Sequence, residues 1–352
     1  MKVIVLGDLH LGVKNSSEVM FRHQSKFFDF LIEYMNNSGI DTILQCGDLW
    51  DSRRNTNMKT LQFAYDNLFD KLKSNNITMH TVIGNHDIYL RNSLDIHSSG
   101  LLLRNYESIH VYDEPTTITI DNCTIDMIPW ICDQNRDQCF KYIEDSTSDV
   151  CLGHFEINQF PVVGQSLFEG GMSREQFTHF KQVFSGHFHC RSCNNNIVYV
   201  GTPYQLTWND ALTQNGFIVF DTETLEYFYV ENENRYYHYL TYDDKNKFMT
   251  KLDDLQLEDS FVKVIIKSKS KAFTYNTYIN KVFASKPADV KFVEQSLVDT
   301  TLLEEGVTLE VKDTLDLITS YVDGIEFESK DRLKNFMVQL YNEAITINEE
   351  SN

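Results

Sequence analysis

The chain opens Met1-Lys2-Val3-Ile4-Val5-Leu6-Gly7-Asp8-Leu9-His10-Leu11-Gly12. Val3 to Leu6 is apolar at even and odd positions alike, the pattern of a strand covered on both faces, as in parallel sheets. Gly7 ends the run, and Asp8 and His10 follow. In an extended segment residues two apart point the same way, so these two side chains can reach one ion. The same order of residue types returns further on: Thr42–Cys46 runs into Gly47-Asp48, and Thr78–Ile83 runs into Gly84-Asn85-His86-Asp87. Helical patterns separate the runs. Gln24, Phe28, Leu31, Ile32 and Met35 share one helical face before Gly39, and Leu61, Ala64, Tyr65, Leu68 and Leu72 share another within Met58–Ser74. This β-α-β-α-β start predicts a largely parallel sheet with flanking helices.

Beyond Tyr106 short strand patterns follow one another: Ile109–Tyr112, Thr117–Ile120, Thr124–Ile128, Val150–Gly153, Gln182–Ser185, Ile197–Val200, Gly216–Phe220 and Glu226–Val230. Asp121-Asn122 is a natural hairpin turn between two of them. A parallel start followed by an antiparallel run predicts two sheets packed face to face with helices outside. Near Glu231 the composition turns polar and acidic, and Glu231–Asn234 and Asp253-Asp254 bracket what reads as a connection. A strand over Phe261–Lys267, a short helix over Thr277–Phe283 and a strand over Val290–Val293 make a further small α/β unit.

Lys and Arg number 31 against 51 Asp and Glu, a net charge of −20. That balance argues against a nucleic-acid binder working by bulk charge, though not against an enzyme that brings positive charge locally. The 352 residues set a prior of roughly two domains, since single cores run about 100–200 residues. No apolar run approaches the roughly 18 residues of a membrane span, and no leader pattern precedes the first strand. Seven cysteines, an odd number in core-like surroundings, argue against a disulfide framework. A soluble cytoplasmic protein is the expectation. Cys190-x-x-Cys193 lacks the second pair a four-ligand zinc site needs, and reads as ordinary thiols. Gly-Lys never occurs, so there is no P-loop and any ATP dependence belongs to a partner.

Two later motifs complete the ligand series: Gly153-His154, and Gly186-His187-Phe188-His189, where the two-apart spacing recurs. A glycine precedes the leading ligand in each motif, allowing the close backbone approach a crowded site requires. Loops beyond the carboxyl ends of strands are also where open α/β sheets place ligands. Taken singly, each motif has an ordinary reading as a polar strand end. Taken together, carboxylate, amide and imidazole without thiolate suit a borderline ion such as manganese better than structural zinc.

The series Asp8-x-His10, Gly47-Asp48, Gly84-Asn85-His86-Asp87, Gly153-His154, Gly186-His187-x-His189 resembles the calcineurin-like metallophosphoesterase signature. Within that superfamily the chain most resembles SbcD-type DNA repair nucleases in their phage recombination-endonuclease-subunit form. Gly7–Gly12, Gly47-Asp48-Leu49-Trp50-Asp51 and Tyr199-Val200-Gly201-Thr202-Pro203-Tyr204 carry the likeness. It is strong over roughly the first two hundred residues and extends beyond them only in layout. Many cellular relatives have His where Asp51 stands, which puts a phosphate-steering role for that position in doubt.

The resemblance implies an α/β fold: a two-sheet metallophosphoesterase sandwich flanked by helices, with a small α/β capping domain and a helical C-terminal tail. It implies a nuclease domain over 1–235, a DNA-binding cap over 255–297 and an ATPase-partner-binding tail over 310–347. It implies two Mn2+ ions, with Mg2+ as the alternative. Asp8, His10, Asp48 and His189 would hold one ion; Asp48, Asn85, His154 and His187 the other, with Asp48 bridging. His86 would be the general acid and Asp87 its orienting partner. The implied activities are exonuclease on duplex ends and endonuclease on single strands, in recombination, repair and replication, within the bacterial host cytoplasm if the chain is phage-encoded.

Lys263, Lys267, Lys269, Lys271, Lys281, Lys286 and Lys291 form a basic island opposed only by Asp289. Its first four lysines are the candidates for DNA contact, double- or single-stranded; the plain alternative is a solvated face. In the tail, Leu315, Ile318 and Val322 mark one amphipathic helix. A second carries Leu333, Phe336, Met337, Leu340, Tyr341 and Ala344 after an N-cap at Ser329. By the resemblance this tail docks on an SbcC-like ATPase; homodimerisation is left open. Two rivals remain. A metallophosphatase or small-molecule phosphodiesterase on the same core would not need the lysines or the tail, and a non-catalytic scaffold would have lost ligands.

Overall fold

The computed structural model describes residues 1–163 and 166–294. A six-stranded sheet is ordered Tyr227–Glu231, Gly216–Asp221, Lys2–Leu6, Thr42–Gln45, Thr78–Val82, Ile109–Tyr112. The last four strands are mutually parallel, and the first two join antiparallel at Lys2–Leu6. The alternating apolar faces explain the layering. Val3, Val5, Leu44 and Val82 point inward to a second sheet, where they meet Ile125, Met127, Val150, Leu152 and Phe184. Ile4, Leu6, Ile43 and Met79 point outward and are covered by Phe27, Phe28, Leu31, Met35, Leu68, Phe69 and Leu72.

Those covering residues sit on two helical segments. The first spans Glu18–Ser38 and ends at Gly39, which adopts the left-handed conformation. The second runs Met58–Ser74 with a π-helical turn over Tyr65–Phe69.

The second sheet is ordered Ser192–Asn194, Ile197–Tyr199, Gln182–Gly186, Val150–His154, Cys123–Ile128, Thr116–Ile120. Here the structure corrects the expected antiparallel run. The four central strands are parallel, and only the two edges pair antiparallel. Cys123–Ile128 and Val150–His154 are joined by the helix Arg136–Asp145, a crossover of the kind parallel neighbours require. Ile109–Tyr112, Gly216–Asp221 and Tyr227–Glu231 belong to the first sheet. The hairpin turn at Asp121-Asn122 is present, with Asp121 at φ 53°.

The stretch read as a polar connection contributes a strand, Tyr237–Asp243. It pairs parallel with Phe261–Ser268 in a four-stranded sheet ordered Phe248–Met249, Tyr237–Asp243, Phe261–Ser268, Asp289–Glu294. The helix Ala272–Ala284 covers one face through Tyr278, Ile279 and Val282 on Leu240, Tyr242, Val262 and Val264. The tail helices expected over 310–347 lie outside the described residues. Among the described residues no helix is long and apolar enough to cross a membrane.

Candidate metal centre

Parallel strands deliver the ligands because their carboxyl ends point the same way. Asp8 and His10 follow Lys2–Leu6, Asp48 follows Thr42–Gln45, and Asn85 follows Thr78–Val82. From the second sheet, His154 ends Val150–His154, and His187 and His189 follow Gln182–Gly186. All seven expected ligand residues converge in one cluster.

His10 Nε2 and His189 Nε2 face each other at 3.2 Å. His10 Nε2 is 3.7 Å from Asp48 Oδ2, and His189 Nε2 is 3.8 Å from Asp8 Oδ2. On the other side His154 Nε2 lies 3.4 Å from Asp48 Oδ2 and 2.9 Å from Asn85 Oδ1. His187 Nδ1 is 3.0 Å from the same Asn85 oxygen. Donor atoms of Asp8, His10 and His189, and of Asp8, Asp48 and His154, lie within 4.8 Å of one another. Asp48 touches both groups.

Glycines make this crowding feasible. A Cβ on Gly84 would sit 2.2 Å from Asp48 Oδ1, and one on Gly186 would sit 2.5 Å from Asp8 Oδ1. Three of the expected ligand residues are themselves in left-handed backbone: His10 at φ 44°, Asp48 at 54° and His187 at 84°. Such conformations persist where the surrounding structure enforces them, and they concentrate at functional sites.

Several imidazoles are tied on one nitrogen and point the other inward. His154 Nδ1 donates to the Cys46 carbonyl at 2.8 Å. His187 Nε2 meets Glu156 at 3.1 Å; His10 Nδ1 lies 3.3 Å from Asp51 Oδ1, an ion-pair contact without hydrogen-bond geometry. Outer partners of this kind fix the tautomer and aim of a ligating histidine. Glu156 was missed in the sequence; its only signal is the two-residue spacing from His154. Asp51 stands behind His10.

The cluster is electrostatically incomplete by itself. Asp8 and Asp48 are buried, with 1% and 2% exposure. Burial pushes the Asp8 carboxyl up. Burial also opposes ionisation of Asp48, but the imidazoles of His154, His10 and His86 outweigh it and hold that carboxylate well below its usual range. Burial works against charge on His154 and His10. Asp48 and Asp8 overcome it at His154, and Asp51, Asp48 and Asp8 at His10, so each is raised to about 9. His189 is pushed down to about 3 by burial and then by His10. Paired buried carboxylates thus draw positive charge, while imidazole nitrogens and an amide oxygen face the same space. The residues fit divalent cations.

His86 lies at the rim. Its backbone N–H donates to Asp48 Oδ1 at 2.7 Å and its Nδ1 to the Asp51 carbonyl at 2.7 Å. Its ring stands edge-on to His10, centroids 4.8 Å apart. The expected partnership with Asp87 is corrected here. The buried Asp87 carboxylate accepts from the backbone N–H groups of Gly84, Asp48 and Trp50 at 2.8, 2.9 and 3.1 Å, bracing two ligand loops. Burial and then Asp48 raise it to about 7. A main-chain carbonyl is therefore what orients His86.

Further residues frame the centre. Gln24 Nε2 donates to the Leu9 and His10 carbonyls at 3.2 and 3.3 Å, and the Tyr204 hydroxyl also donates to Leu9. Trp130 lies 5.3 Å from the His187 ring and 5.8 Å from that of His154. Half-buried Arg53 is held below its usual range by burial and then by Arg91, with Asp48 opposing.

The lysine candidates separate. Lys263 and Lys267 alternate with inward-facing Val262, Val264 and Ile266 on the strand Phe261–Ser268. Lys269 instead pairs with Glu294, and Lys271 is the N-cap residue of the helix, its N–H donated to Asp244.

The chain is similar to several known proteins. Exonuclease subunit 1 of Enterobacteria phage T4 is 33% identical over 348 residues, covering 98% of this chain and 99% of its own. A solved archaeal phosphodiesterase is 16% identical, covering 66% of this chain and 100% of its own with a TM-score of 0.34. A Plasmodium protein described as the anchor in the inner membrane complex is 11% identical, covering 84% and 98%, with a TM-score of 0.36. The model of the calcineurin-like phosphoesterase family matches residues 1–191, the span that carries every ligand residue described above. The chain belongs to the calcineurin-like phosphoesterase family and is a metal-dependent phosphodiesterase.

Proposed function

We propose that this chain is a DNA nuclease subunit. Its reaction is hydrolysis of phosphodiester bonds, as exonuclease on duplex ends and endonuclease on single strands, in recombination, repair and replication. The observation that carries the reading is the convergence of the ligand set and His86 in a chain 33% identical to a phage exonuclease subunit over nearly its full length.

Asp8, His10, Asp48 and His189 would hold one ion and Asp48, Asn85, His154 and His187 the other. Manganese is the proposed ion and magnesium the alternative. Bound there, the pair would lower the pKa of water and neutralise phosphoryl oxygens. The chain's own residues do the rest. The Asp51 carbonyl holds Nδ1 of His86 as N–H, so the proton His86 delivers to the departing oxygen leaves from Nε2. Arg53 offers a cation to a phosphate beside Asp48. Asp87 keeps the loops of Asp48 and Asn85 at fixed separation.

The relative is named a subunit, and the proposed partner here is an SbcC-like ATPase engaged through residues 310–347. The proposed division is a nuclease domain over 1–235 and a DNA-binding cap over 255–297, to whose sheet the strand Tyr237–Asp243 also belongs.

The test is degradation of end-labelled duplex DNA with manganese, with and without the ATPase, by wild type and Asp48→Ala. Loss of metal binding and of DNA hydrolysis together in the variant is expected. Wild-type rates from Asp48→Ala would overturn the site, and hydrolysis of aryl phosphates but not DNA by the wild type would favour a phosphatase.

A further inference from the structure

One face of the four-stranded sheet is covered by the helix Ala272–Ala284. The other face carries a different chemistry. Alternation along the strands puts Tyr237 and Tyr239, Phe261 and Lys263, and Asp289 and Lys291 on it. Tyr239 is in register with Lys263, and Lys263 with Lys291, so the three side chains stand in a row across the sheet.

Two pieces of the catalytic body reach the same face. Trp208, on the turn Trp208–Leu212, lies with its ring centroid 5.1 Å from those of both Tyr237 and Tyr239. Lys263 Nζ sits 4.2 Å above Trp208 and 5.1 Å from Tyr239. Lys14 Nζ sits 4.5 Å above Phe261 and 5.1 Å from Tyr237. Lys14 begins a run of left-handed residues with Asn15 and Ser16, at φ 56°, 54° and 60°. That strained turn follows directly on the metal loop, with the Val13 N–H bonded to the His10 carbonyl at 3.1 Å.

Lys14 and Lys263 are each held below the usual ammonium range by burial and then by Lys291. In a chain of net charge −20, three lysines gathered on an aromatic bed, with Asp289 opposing them at Lys14, make a local surface suited to an anion. A strand of nucleic acid presents phosphates and flat bases at the spacing such a surface can use. Paired bases hide their faces in the duplex stack; unpaired ones do not.

We propose that Trp208 and Tyr239, with Lys14, Lys263 and Lys291, receive an unpaired stretch of DNA strand beside the metal centre, bases on the rings and phosphates on the lysines. In the free protein the Lys263 ammonium covers the Trp208 ring. When a strand binds, a base takes that ring face and the ammonium turns to a phosphate. The proposal rests on the nuclease reading and adds to it that this face selects frayed or tailed ends over blunt ones.

The test measures binding of full-length protein, in chelator to prevent cleavage, to a blunt duplex and to the same duplex with a short oligo-dT tail. Wild type should prefer the tailed DNA. Trp208→Ala and Tyr239→Ala should each lower the tailed-to-blunt affinity ratio roughly ten-fold, while Trp208→Phe keeps it. Lys263→Gln and Lys291→Gln should each reduce the salt dependence of log affinity by about 0.7–0.9. Equal loss on both DNAs after Trp208→Ala and Tyr239→Ala, or no loss on either, would overturn the proposal and leave the rings a packing contact. Tyr239 is 36% exposed, so its variant tests the idea even if Trp208→Ala folds poorly. Cleavage of duplex DNA by wild type with manganese, alongside an unchanged ratio in the variants, would sink this inference alone. Failure of the wild type to bind or cleave any DNA would sink the nuclease reading with it.

Discussion

At His86, hydrogen bonding already assigns the two ring nitrogens. Nδ1 is committed to the Asp51 carbonyl at 2.7 Å; a ring nitrogen of His86 also lies within 4.8 Å of donor atoms of His10 and Asp51, but His86 is outside the proposed ligand set. His86→Ala should therefore keep both metal ions and slow DNA hydrolysis by about 10²–10⁴-fold, the worth of a positioned acid. Metal content and single-turnover rates measured on one preparation decide it; loss of an ion would make His86 a ligand. Asp51 acts through a different neighbour. Its side chain stands behind His10 at 3.3 Å, so Asp51→Ala should weaken manganese binding by about 10–100-fold, as loss of an outer partner does. Calorimetric titration checks this. Unchanged affinity with a slowed rate would return the position to substrate steering.

At the scale of elements, the helix Glu18–Ser38 holds both the loop after the first strand and the loop around Asp259 from neighbouring residues. Gln24 holds the carbonyls of the metal loop. Arg22 makes a bidentate pair with Asp259 at 2.8 and 2.7 Å, and His23 bonds the Asp259 carbonyl at 2.8 Å. The His23 ring stacks on Tyr236 with centroids 3.5 Å apart. Burial pushes His23 down to about 4 from 6.5. The unfolded chain therefore takes up this proton before the folded one does. Stability from the neutral ring is present above pH 6.5 and is lost as pH falls toward 4. Hydrogen exchange in Tyr237–Asp243 and Phe261–Ser268 should accelerate over that window relative to the first sheet. His23→Phe, which keeps the stack and cannot titrate, should flatten the effect; an unchanged pH profile in that variant would assign it elsewhere. The loops have less tolerance. A methyl group at Gly186 would meet Asp8, the Cys46 carbonyl and His154, all within 2.9 Å, so Gly186→Ala should abolish manganese binding.

For the molecule as a whole, the proposed ligands come from both sheets of the sandwich, so a bound ion would link two layers that meet through apolar packing and a few hydrogen bonds, such as those from His154 to the Cys46 carbonyl and from Tyr229 to the Val200 carbonyl. Manganese at about one hundred times its dissociation constant should stabilise the fold by about 2.7 kcal/mol, seen as a rise in melting temperature that chelator reverses. Asp48→Ala should show no such rise. On the proposed partnership, deleting Ser329 to Asn352 should leave manganese-dependent hydrolysis intact and abolish co-purification with the proposed ATPase, because the amphipathic helix that the sequence pattern predicts there would draw its stability from the surface it docks on. Retained ATPase binding at full affinity would assign the tail to its own domain.

The candidate ligand motifs, which the structure brings together, were legible because their rules are local. A strand repeats every two residues, Gly allows close approach, and the apolar runs Val3–Leu6 and Thr42–Cys46 announce their own carboxyl ends. Asp8, His10, Asp48, the run Asn85-His86-Asp87, His154, His187 and His189 could be marked as candidates from those signals, together with the layered α/β architecture; the choice of Asn85 within its run rests on the family resemblance. What lies across the chain was not legible. A strand buried on both faces has the same apolar pattern whether its neighbour is parallel or antiparallel, which is why Val150–His154 and Gln182–Gly186 were placed in the wrong kind of sheet. The strand Tyr237–Asp243 was hidden because its exposed face alternates with aromatic residues inside an acidic stretch. Outer partners depend on contacts between distant segments: Glu156 behind His187, the Cys46 carbonyl behind His154, the Asp51 carbonyl in place of Asp87 beside His86. Sequence determined which atoms are available as ligands, since that follows from residue type and local geometry. Only the tertiary structure decided which atoms face each other, because the separations are closed by packing of two sheets and leave no periodic trace in the chain.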